Sequence, residues 1–173
     1  MRQVPTLAAL ALTASLMAGA ASAAVTPPKV SITDYAQLKT PLPYPYDEAA
    51  KADTDVAKAK ARAKAAHKIL IIDLGGNWCG DCRILAATMD LPEMKTWVAR
   101  HFEVVTVDVG RFDKNLQIPA HYGITSRLEG VPALLMVDPA TDKLLNKDTV
   151  ASLADARHMS PQALADWLAT WAR

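Results

Sequence analysis

A short apolar segment that runs directly into two cysteines constrains the fold of this chain most strongly. Ile69 to Leu74 is nearly continuous in apolar side chains, which is typical of a central strand buried on both faces. Residues 75–77 (Gly-Gly-Asn) interrupt the strand pattern, and a helix-compatible stretch follows from about residue 80 to 89. The only two cysteines, Cys79 and Cys82, therefore fall where a strand turns into a helix.

The other segments alternate between helix and strand patterns. The predicted elements are helices at 47–68, 90–101 and 116–122, strands at 102–109, 133–137 and 143–146, and a final helix. Ser160 and Pro161 are typical of the N-cap and first position of that last helix, whereas 147–159 fits no clear pattern. Because helices alternate with strands, the order predicts an α/β fold whose helices cover a mixed sheet.

The N-terminus has the pattern of a secretory signal peptide. Arg2 precedes an apolar run from Leu7 to Ala18, and Ala21-Ser22-Ala23 matches a cleavage site, so residues 1–23 are predicted to be removed. The apolar run is too short to cross about 30 Å of hydrocarbon. We therefore expect export to the periplasm and no membrane anchor after cleavage.

The next segment, residues 24–46, contains five prolines and is predicted to be an extended arm or linker, either unstructured or docked. The folded domain would then be 47–173. With 51% hydrophobic residues the chain can form a substantial core, and 19 Lys and Arg against 18 Asp and Glu leave a net charge of +1. This charge does not indicate nucleic acid or an anionic membrane as a partner.

The spacing of the two cysteines favours redox chemistry over a structural disulfide. The loop they would close is so short that cross-linking stabilises the fold little. At a helix N-terminus, Cys79 faces unpaired N–H groups and the positive end of the helix dipole, which favour the thiolate. Cys82 lies one turn later and can attack a mixed disulfide formed by Cys79. We therefore predict an exposed attacking Cys79 and a resolving Cys82.

Four segments, in order, resemble the thioredoxin family, especially the exported thioredoxin-like proteins of bacteria. They are Asp73, six residues before Cys79; Trp78 to Cys82, similar to the family's Trp-Cys-Gly-Pro-Cys; His121 to Ile124; and Gly130 to Ala133. The resemblance covers roughly residues 68–173. It implies a thioredoxin-like three-layer α/β/α sandwich with a central mixed sheet.

The resemblance also implies roles for single residues. Asp73 would be the buried base that takes the proton from Cys82, and a carboxyl at the end of an apolar strand should have a raised pKa. Pro132 would follow a cis peptide bond and leave the backbone of Val131 free to pair with an extended substrate. Trp78 would shield the disulfide and offer an apolar contact surface.

Two departures from the family pattern concern redox tuning. Asp81 stands where the family usually has proline, and a carboxylate beside Cys79 disfavours the thiolate, which predicts a more reducing protein. An acid in the first turn also stabilises the helix by itself. We assign tuning to Gly80 and Asp81. The predicted strand at 102–109 lacks the lysine that thioredoxins often carry near the buried acid.

These observations predict an enzyme that exchanges its Cys79–Cys82 dithiol or disulfide with protein disulfides in the cell envelope, in the reductive direction. It would need no cofactor or metal, act as a monomer, and be recycled by a membrane or periplasmic redox partner. The alternative is a non-catalytic thioredoxin-like binding module or a copper carrier that uses the same cysteines. The four histidines show no metal-type pairing, and Arg83 stands where covalent haem attachment would need histidine.

Overall fold

A computed structural model describes residues 24–173, so the predicted signal peptide at 1–23 lies outside the described residues. Helices and strands alternate as the sequence predicts. In chain order the elements are α1 (Ala52–Ala65), β1 (Ile69–Gly75), α2 (Gly80–Met89), α3 (Pro92–His101), β2 (Phe102–Asp108), α4 (Gln117–His121), β3 (Ala133–Asp138), β4 (Lys143–Leu144) and α5 (Pro161–Ala169). Residues 24–173 contain no helix with the length and hydrophobicity that a membrane span requires.

The four strands form one mixed sheet in the order β2-β1-β3-β4. Strand β1 pairs parallel with β2 and antiparallel with β3, and β4 pairs antiparallel with β3. Every residue of β1 is buried, because β1 has a strand on each side and helices on each face. In this register Asp73 lies between Thr106 and Leu134. The predicted α/β fold with a central mixed sheet is confirmed.

Alternate residues of β1 contribute to two separate apolar clusters, one on each face of the sheet. Leu70 and Ile72 belong to the cluster that includes Val56 of α1. Ile69 and Ile71 belong to the cluster formed with α3 and α5. Because strand side chains alternate between faces, one apolar strand supplies both cores. This three-layer arrangement places the C-terminal end of β1, and hence the cysteines, at one edge of the molecule.

Helix α1 is shorter than the predicted helix at 47–68. It begins at Ala52 because the Asp47 side chain accepts the Ala49 N–H and closes a turn first. It ends because His67 adopts a left-handed conformation (φ 55°) and the Lys68 N–H bonds back to the Ala63 carbonyl, a common way of satisfying the last helical carbonyls.

Strand β4 is also shorter than predicted, two residues instead of four. Beyond it, the buried Asn146 side chain replaces the backbone ladder: its Oδ1 accepts the Met136 N–H (2.9 Å) and its Nδ2 donates to the Leu134 carbonyl (2.8 Å). Short 3-10 helices at Lys147–Thr149 and Ala156–His158 occupy the segment that fitted no pattern. A side chain therefore completes the edge of β3, and strand propensity could not indicate this.

The proline-rich segment 24–46 lies against the domain. Val30 is buried in the cluster with α3 and α5, and its N–H donates to the Gln162 side chain (3.0 Å). At the other end of the segment, Tyr46 is buried in the cluster on the opposite face. The segment therefore spans both cores of the folded domain.

Candidate active site

The two cysteines form a disulfide at the N-terminus of α2, with their Cα atoms 5.3 Å apart. Cys79 is the N-cap, and its Sγ accepts the Cys82 N–H at 3.1 Å. An N–H donor and the positive end of the helix both stabilise a thiolate on Cys79 after reduction. Cys79 is 6% exposed and Cys82 is fully buried, so Cys79 is the more accessible sulfur but is far less exposed than we predicted.

The loop before β3 lies directly against this disulfide. The Val131–Pro132 peptide bond is cis, and the Val131 carbonyl oxygen lies 3.3 Å from Cys79 Sγ. The pairing of β3 with β1 begins only at Ala133, opposite Leu74. The backbone of Val131 thus lies beside the disulfide and ahead of the sheet ladder.

Trp78 presents an aromatic surface beside the cysteines. Its side chain is held by a hydrogen bond from the indole N–H to the Gly110 carbonyl (2.7 Å) and by an edge contact with Phe112. The Arg111 guanidinium lies 4.4 Å from the centre of the ring. Because Trp78 remains 42% exposed, it offers a fixed apolar contact next to the disulfide.

Asp73 is the one acidic side chain of β1 and is completely buried. Its Oδ1 accepts a hydrogen bond from the Tyr46 hydroxyl at 2.9 Å, while Oδ2 has no partner in the part of the chain that the structure describes. Burial raises the pKa of Asp73 to about 7, although the Tyr46 hydrogen bond acts in the opposite direction. The carboxyl can therefore gain or lose a proton near neutral pH.

Gly75 leaves space for both Tyr46 and the disulfide at the end of β1. A Cβ at this position would collide with the Tyr46 hydroxyl and would lie 2.8 Å from Cys82 Sγ. The absence of a side chain thus leaves room for the Tyr46 hydroxyl and Cys82 Sγ on the same side of the Gly75 backbone. The Tyr46 hydroxyl, which donates to Asp73, and Cys82 Sγ therefore both lie in the space beside Gly75.

The environment of Asp81 differs from the one we expected. We predicted a partly exposed carboxylate acting on Cys79, but Asp81 is only 5% exposed and is paired with Arg157. The Arg157 Nε lies 3.0 Å from both carboxylate oxygens, and the Arg157 backbone N–H also donates to Oδ1 (2.9 Å). Although burial opposes it, these contacts hold the pKa of Asp81 below its ordinary value. Arg157 therefore offsets the charge that was expected to disfavour the thiolate.

Gly80 fits the same arrangement. A Cβ on Gly80 would come within 3.4 Å of Arg157 Nη2, so the guanidinium lies close to the turn between the two cysteines. A cation and an anion thus lie side by side at the N-terminus of α2.

Sequence reasoning missed two residues of this site, Tyr46 and Arg157. Tyr46 ends a proline-rich segment that we treated as an arm, and Arg157 lies in the segment that fitted no pattern. Neither carries a local signal, since each reaches the site through contacts distant in sequence. Among residues 24–173, no group of three or more His, Cys, Asp or Glu side chains is placed to hold a metal ion.

A cysteine pair in this setting can give or take two electrons by thiol exchange. The fold and the close Cys79–Cys82 pair therefore support thiol-disulfide oxidoreductase chemistry in general.

Comparison with known proteins identifies the family. Residues 50–139 match a family model described as Thioredoxin-like. A solved structure of a disulphide isomerase from Xylella fastidiosa Temecula1 is 41% identical, has a TM-score of 0.68, and is matched over 74% of this chain and 96% of that chain. The C-terminal domain of Neisseria meningitidis DsbD, in the oxidised form, is 24% identical with a TM-score of 0.40, over 56% of this chain and 83% of that one. No curated protein matches this chain. The chain belongs to the thioredoxin family.

Proposed function

We propose that this chain is a protein-disulfide oxidoreductase of the cell envelope that acts in the reductive direction, from its dithiol form. The observation that carries the proposal is the Cys79–Cys82 disulfide at the N-terminus of α2, with Cys79 as the N-cap. A dithiol that attacks substrate disulfides is needed both for reduction and for isomerisation. The 41% identical relative, a disulphide isomerase, supports this starting state.

The reaction proceeds by two thiol-disulfide exchanges. The Cys79 thiolate attacks one sulfur of a substrate disulfide, which forms a mixed disulfide and releases the other substrate sulfur as a thiolate. Cys82 then loses its proton to Asp73 and attacks Cys79 Sγ. This second step breaks the mixed disulfide, releases the reduced substrate, and leaves the Cys79–Cys82 disulfide. Two electrons pass from the protein to the substrate.

Asp73 suits the second step for two reasons. A buried carboxyl with a pKa of about 7 is an effective proton acceptor at neutral pH, because its proton affinity matches the operating conditions. Its unpartnered Oδ2 is an acceptor that no other described group occupies. We assign the proton transfer of the resolving step to this oxygen.

The substrate would bind across the disulfide between the cis-proline loop and the tryptophan. The Val131 backbone, which lies ahead of the β3 ladder, would pair with an extended segment of the substrate. Trp78, 42% exposed, would supply apolar contact. Such contacts hold the substrate disulfide in line with Cys79 without requiring a particular side chain.

Direction and location belong to the same proposal. Because Asp81 is paired with Arg157, its charge does not by itself make the protein more reducing. The reductive direction therefore depends on the dithiol starting state and on the proton acceptor that serves resolution. Envelope location depends on the signal-peptide pattern of residues 1–23, and a redox partner there would regenerate the dithiol.

Reduction of insulin by dithiothreitol, with and without the protein, tests the activity. We expect catalysis by the wild-type chain, no catalysis by Cys79→Ser, and accumulation of mixed disulfides, detectable by mass spectrometry, with Cys82→Ser. Equilibration with glutathione tests the direction. A potential near the thioredoxin value of about −270 mV supports a reductant, and one near about −120 mV, typical of a strong exported oxidant, would refute the reductive direction.

A further inference from the structure

The last residues of the proline-rich segment are fixed on the active-site edge of the sheet. The Tyr46 N–H donates to Asn77 Oδ1 (3.1 Å), and Asn77 Nδ2 donates to the Tyr46 carbonyl (2.8 Å). The Thr106 hydroxyl donates to the Pro45 carbonyl (3.0 Å). Because Thr106 is the residue opposite Asp73 on β2, these contacts place Tyr46 directly over the buried acid.

A second group of contacts holds the preceding residues on helix α2. Arg83, the residue after Cys82, donates from Nε to the Pro43 carbonyl (3.0 Å) and from Nη2 to the Leu42 carbonyl (2.7 Å). Its guanidinium also lies 4.1 Å from the centre of the Tyr44 ring. The segment is therefore anchored by backbone contacts that do not involve the Tyr46 hydroxyl.

That hydroxyl contacts one group of the resolving step, Asp73, and lies on the same side of Gly75 as the other, Cys82. It donates to Asp73 Oδ1 at 2.9 Å, and with Cys82 Sγ it occupies the space that a Cβ on Gly75 would need. Tyr46 is only 3% exposed, so no bulk water competes for these contacts. A phenol held this way restricts the carboxyl to one orientation and leaves Oδ2 as its free oxygen.

We propose that Tyr46 is a positioning residue for the resolving step, which orients the Asp73 carboxyl so that Oδ2 takes the proton from the Cys82 thiol. The inference rests on the proposed function, since it concerns the proton transfer of that reaction. It also gives Tyr46, the last residue of the proline-rich segment, a role in the reaction. The hydroxyl substitutes in part for the lysine that is missing from β2, because it too stabilises the ionised carboxylate.

The charges around Asp73 are consistent with this role. Asp108 of β2 acts electrostatically on Tyr46 and is itself paired with Lys114 (3.4 Å). Cys82 of α2 lies beside Gly75, and β3 places the uncharged Leu134 opposite Asp73. Burial, Asp73 and Asp108 all raise the pKa of Tyr46, so its hydroxyl stays protonated and remains a donor. Loss of the Tyr46 hydroxyl should therefore raise the pKa of the Asp73 carboxyl further.

The test compares Tyr46→Phe with wild type in single-turnover reduction of a disulfide-containing peptide by the reduced protein. Acid quenching and mass spectrometry follow the mixed disulfide, so its formation and its resolution are measured separately. In Tyr46→Phe we expect the midpoint of the pH profile for resolution to move up by about one pH unit, since a hydrogen bond to a charged group is lost. Resolution at pH 7 should slow several-fold, and mixed-disulfide formation should keep its wild-type rate.

Tyr44→Phe is the matched control, because it removes a hydroxyl from an exposed tyrosine (66% exposed) two residues away in the same segment. It should leave both steps unchanged. Asp73→Asn should remove the inflection from the resolution profile, and Tyr46→Phe should have no further effect on the profile in that background. The carboxyl carbon of Asp73, followed by NMR in the oxidised protein, should titrate at higher pH in Tyr46→Phe.

The outcomes separate this inference from the proposed function. A wild-type profile and a wild-type Asp73 titration in Tyr46→Phe, with Asp73→Asn still removing the inflection, would overturn the role of Tyr46 alone. If neither mixed disulfides nor turnover are detected with the wild-type chain, the proposed function itself fails. The NMR titration does not require turnover, so it tests the geometry even then.

Discussion

Replacement of Asp73 by asparagine should change how the stability of the protein depends on pH. Asp73 is fully buried, and its pKa is about 7 in the folded state against 3.8 for an unperturbed aspartate. Below pH 3.8 Asp73 is protonated in both the folded and the unfolded protein. Between pH 3.8 and 7 the unfolded chain has lost this proton and the folded chain has kept it, so the stability contributed by Asp73 falls as pH rises through this window.

The size of the effect follows from the difference in pKa. One pKa unit corresponds to about 1.4 kcal/mol, so this single group should lower the free energy of unfolding by about 4 kcal/mol between pH 4 and pH 8. The Asp73→Asn side chain stays neutral, and this slope should be absent. Asparagine buries its own unpaired amide, which costs about 1–3 kcal/mol, but that cost is the same at every pH.

Urea denaturation of the oxidised protein at several pH values measures how its free energy of unfolding depends on pH. The disulfide removes the cysteines from the titration, and the difference between wild type and Asp73→Asn cancels the groups that both proteins share. We expect the difference in free energy of unfolding to move in favour of the variant as pH rises. A difference that stays constant from pH 4 to pH 8 would refute the assignment of a neutral, buried Asp73.

Three further substitutions probe contacts around the site. Gly75→Ala should destabilise the fold by about 1–3 kcal/mol in urea denaturation and slow disulfide reduction, because the new Cβ collides with Tyr46. Asn146→Ala should cost about 2 kcal/mol or more in the same assay, since two buried backbone groups of β3 lose their partners. Arg157→Ala should make the reduction potential more negative by about 10–30 mV, because an unpaired Asp81 disfavours the thiolate.

Each of these has a conservative control. Gly80→Ala, where the nearest neighbour is a guanidinium at 3.4 Å, should change stability far less than Gly75→Ala. Asn146→Asp keeps the acceptor for the Met136 N–H and, when protonated at pH 4, a donor for the Leu134 carbonyl, so at that pH it should be less harmful than alanine. Arg157→Lys keeps the charge and should shift the potential less. If a variant and its control had equal effects, the contact that the pair tests would not have the importance we assign to it. A reduction potential that becomes less negative in Arg157→Ala would contradict the role of the Asp81–Arg157 ion pair.

The elements that could be predicted are those whose signals are local. Helix α2 has the predicted bounds, because an apolar strand and a glycine-rich break precede it, and α3 ends at His101 as predicted but begins at Pro92 instead of residue 90. Helix α5 begins where Ser160 and Pro161 indicate, and the Ser160 hydroxyl accepts the Ala163 N–H as an N-cap does. The edge of the sheet beyond β4 could not be predicted, because the side chain of Asn146 replaces backbone pairing there.

The amino-acid sequence alone determined the cysteine pair and its place between strand and helix, since both follow from neighbouring residues, and the resemblance to the thioredoxin family indicated the proline loop. Only the tertiary structure decided the surroundings of the pair. Tyr46 reaches Asp73 across 27 positions, and Arg157 reaches Asp81 across 76. The physical reason is that a local pattern reflects interactions within a few residues of the chain. The pKa of a buried carboxyl and the charge beside a thiol depend on groups that only folding brings together.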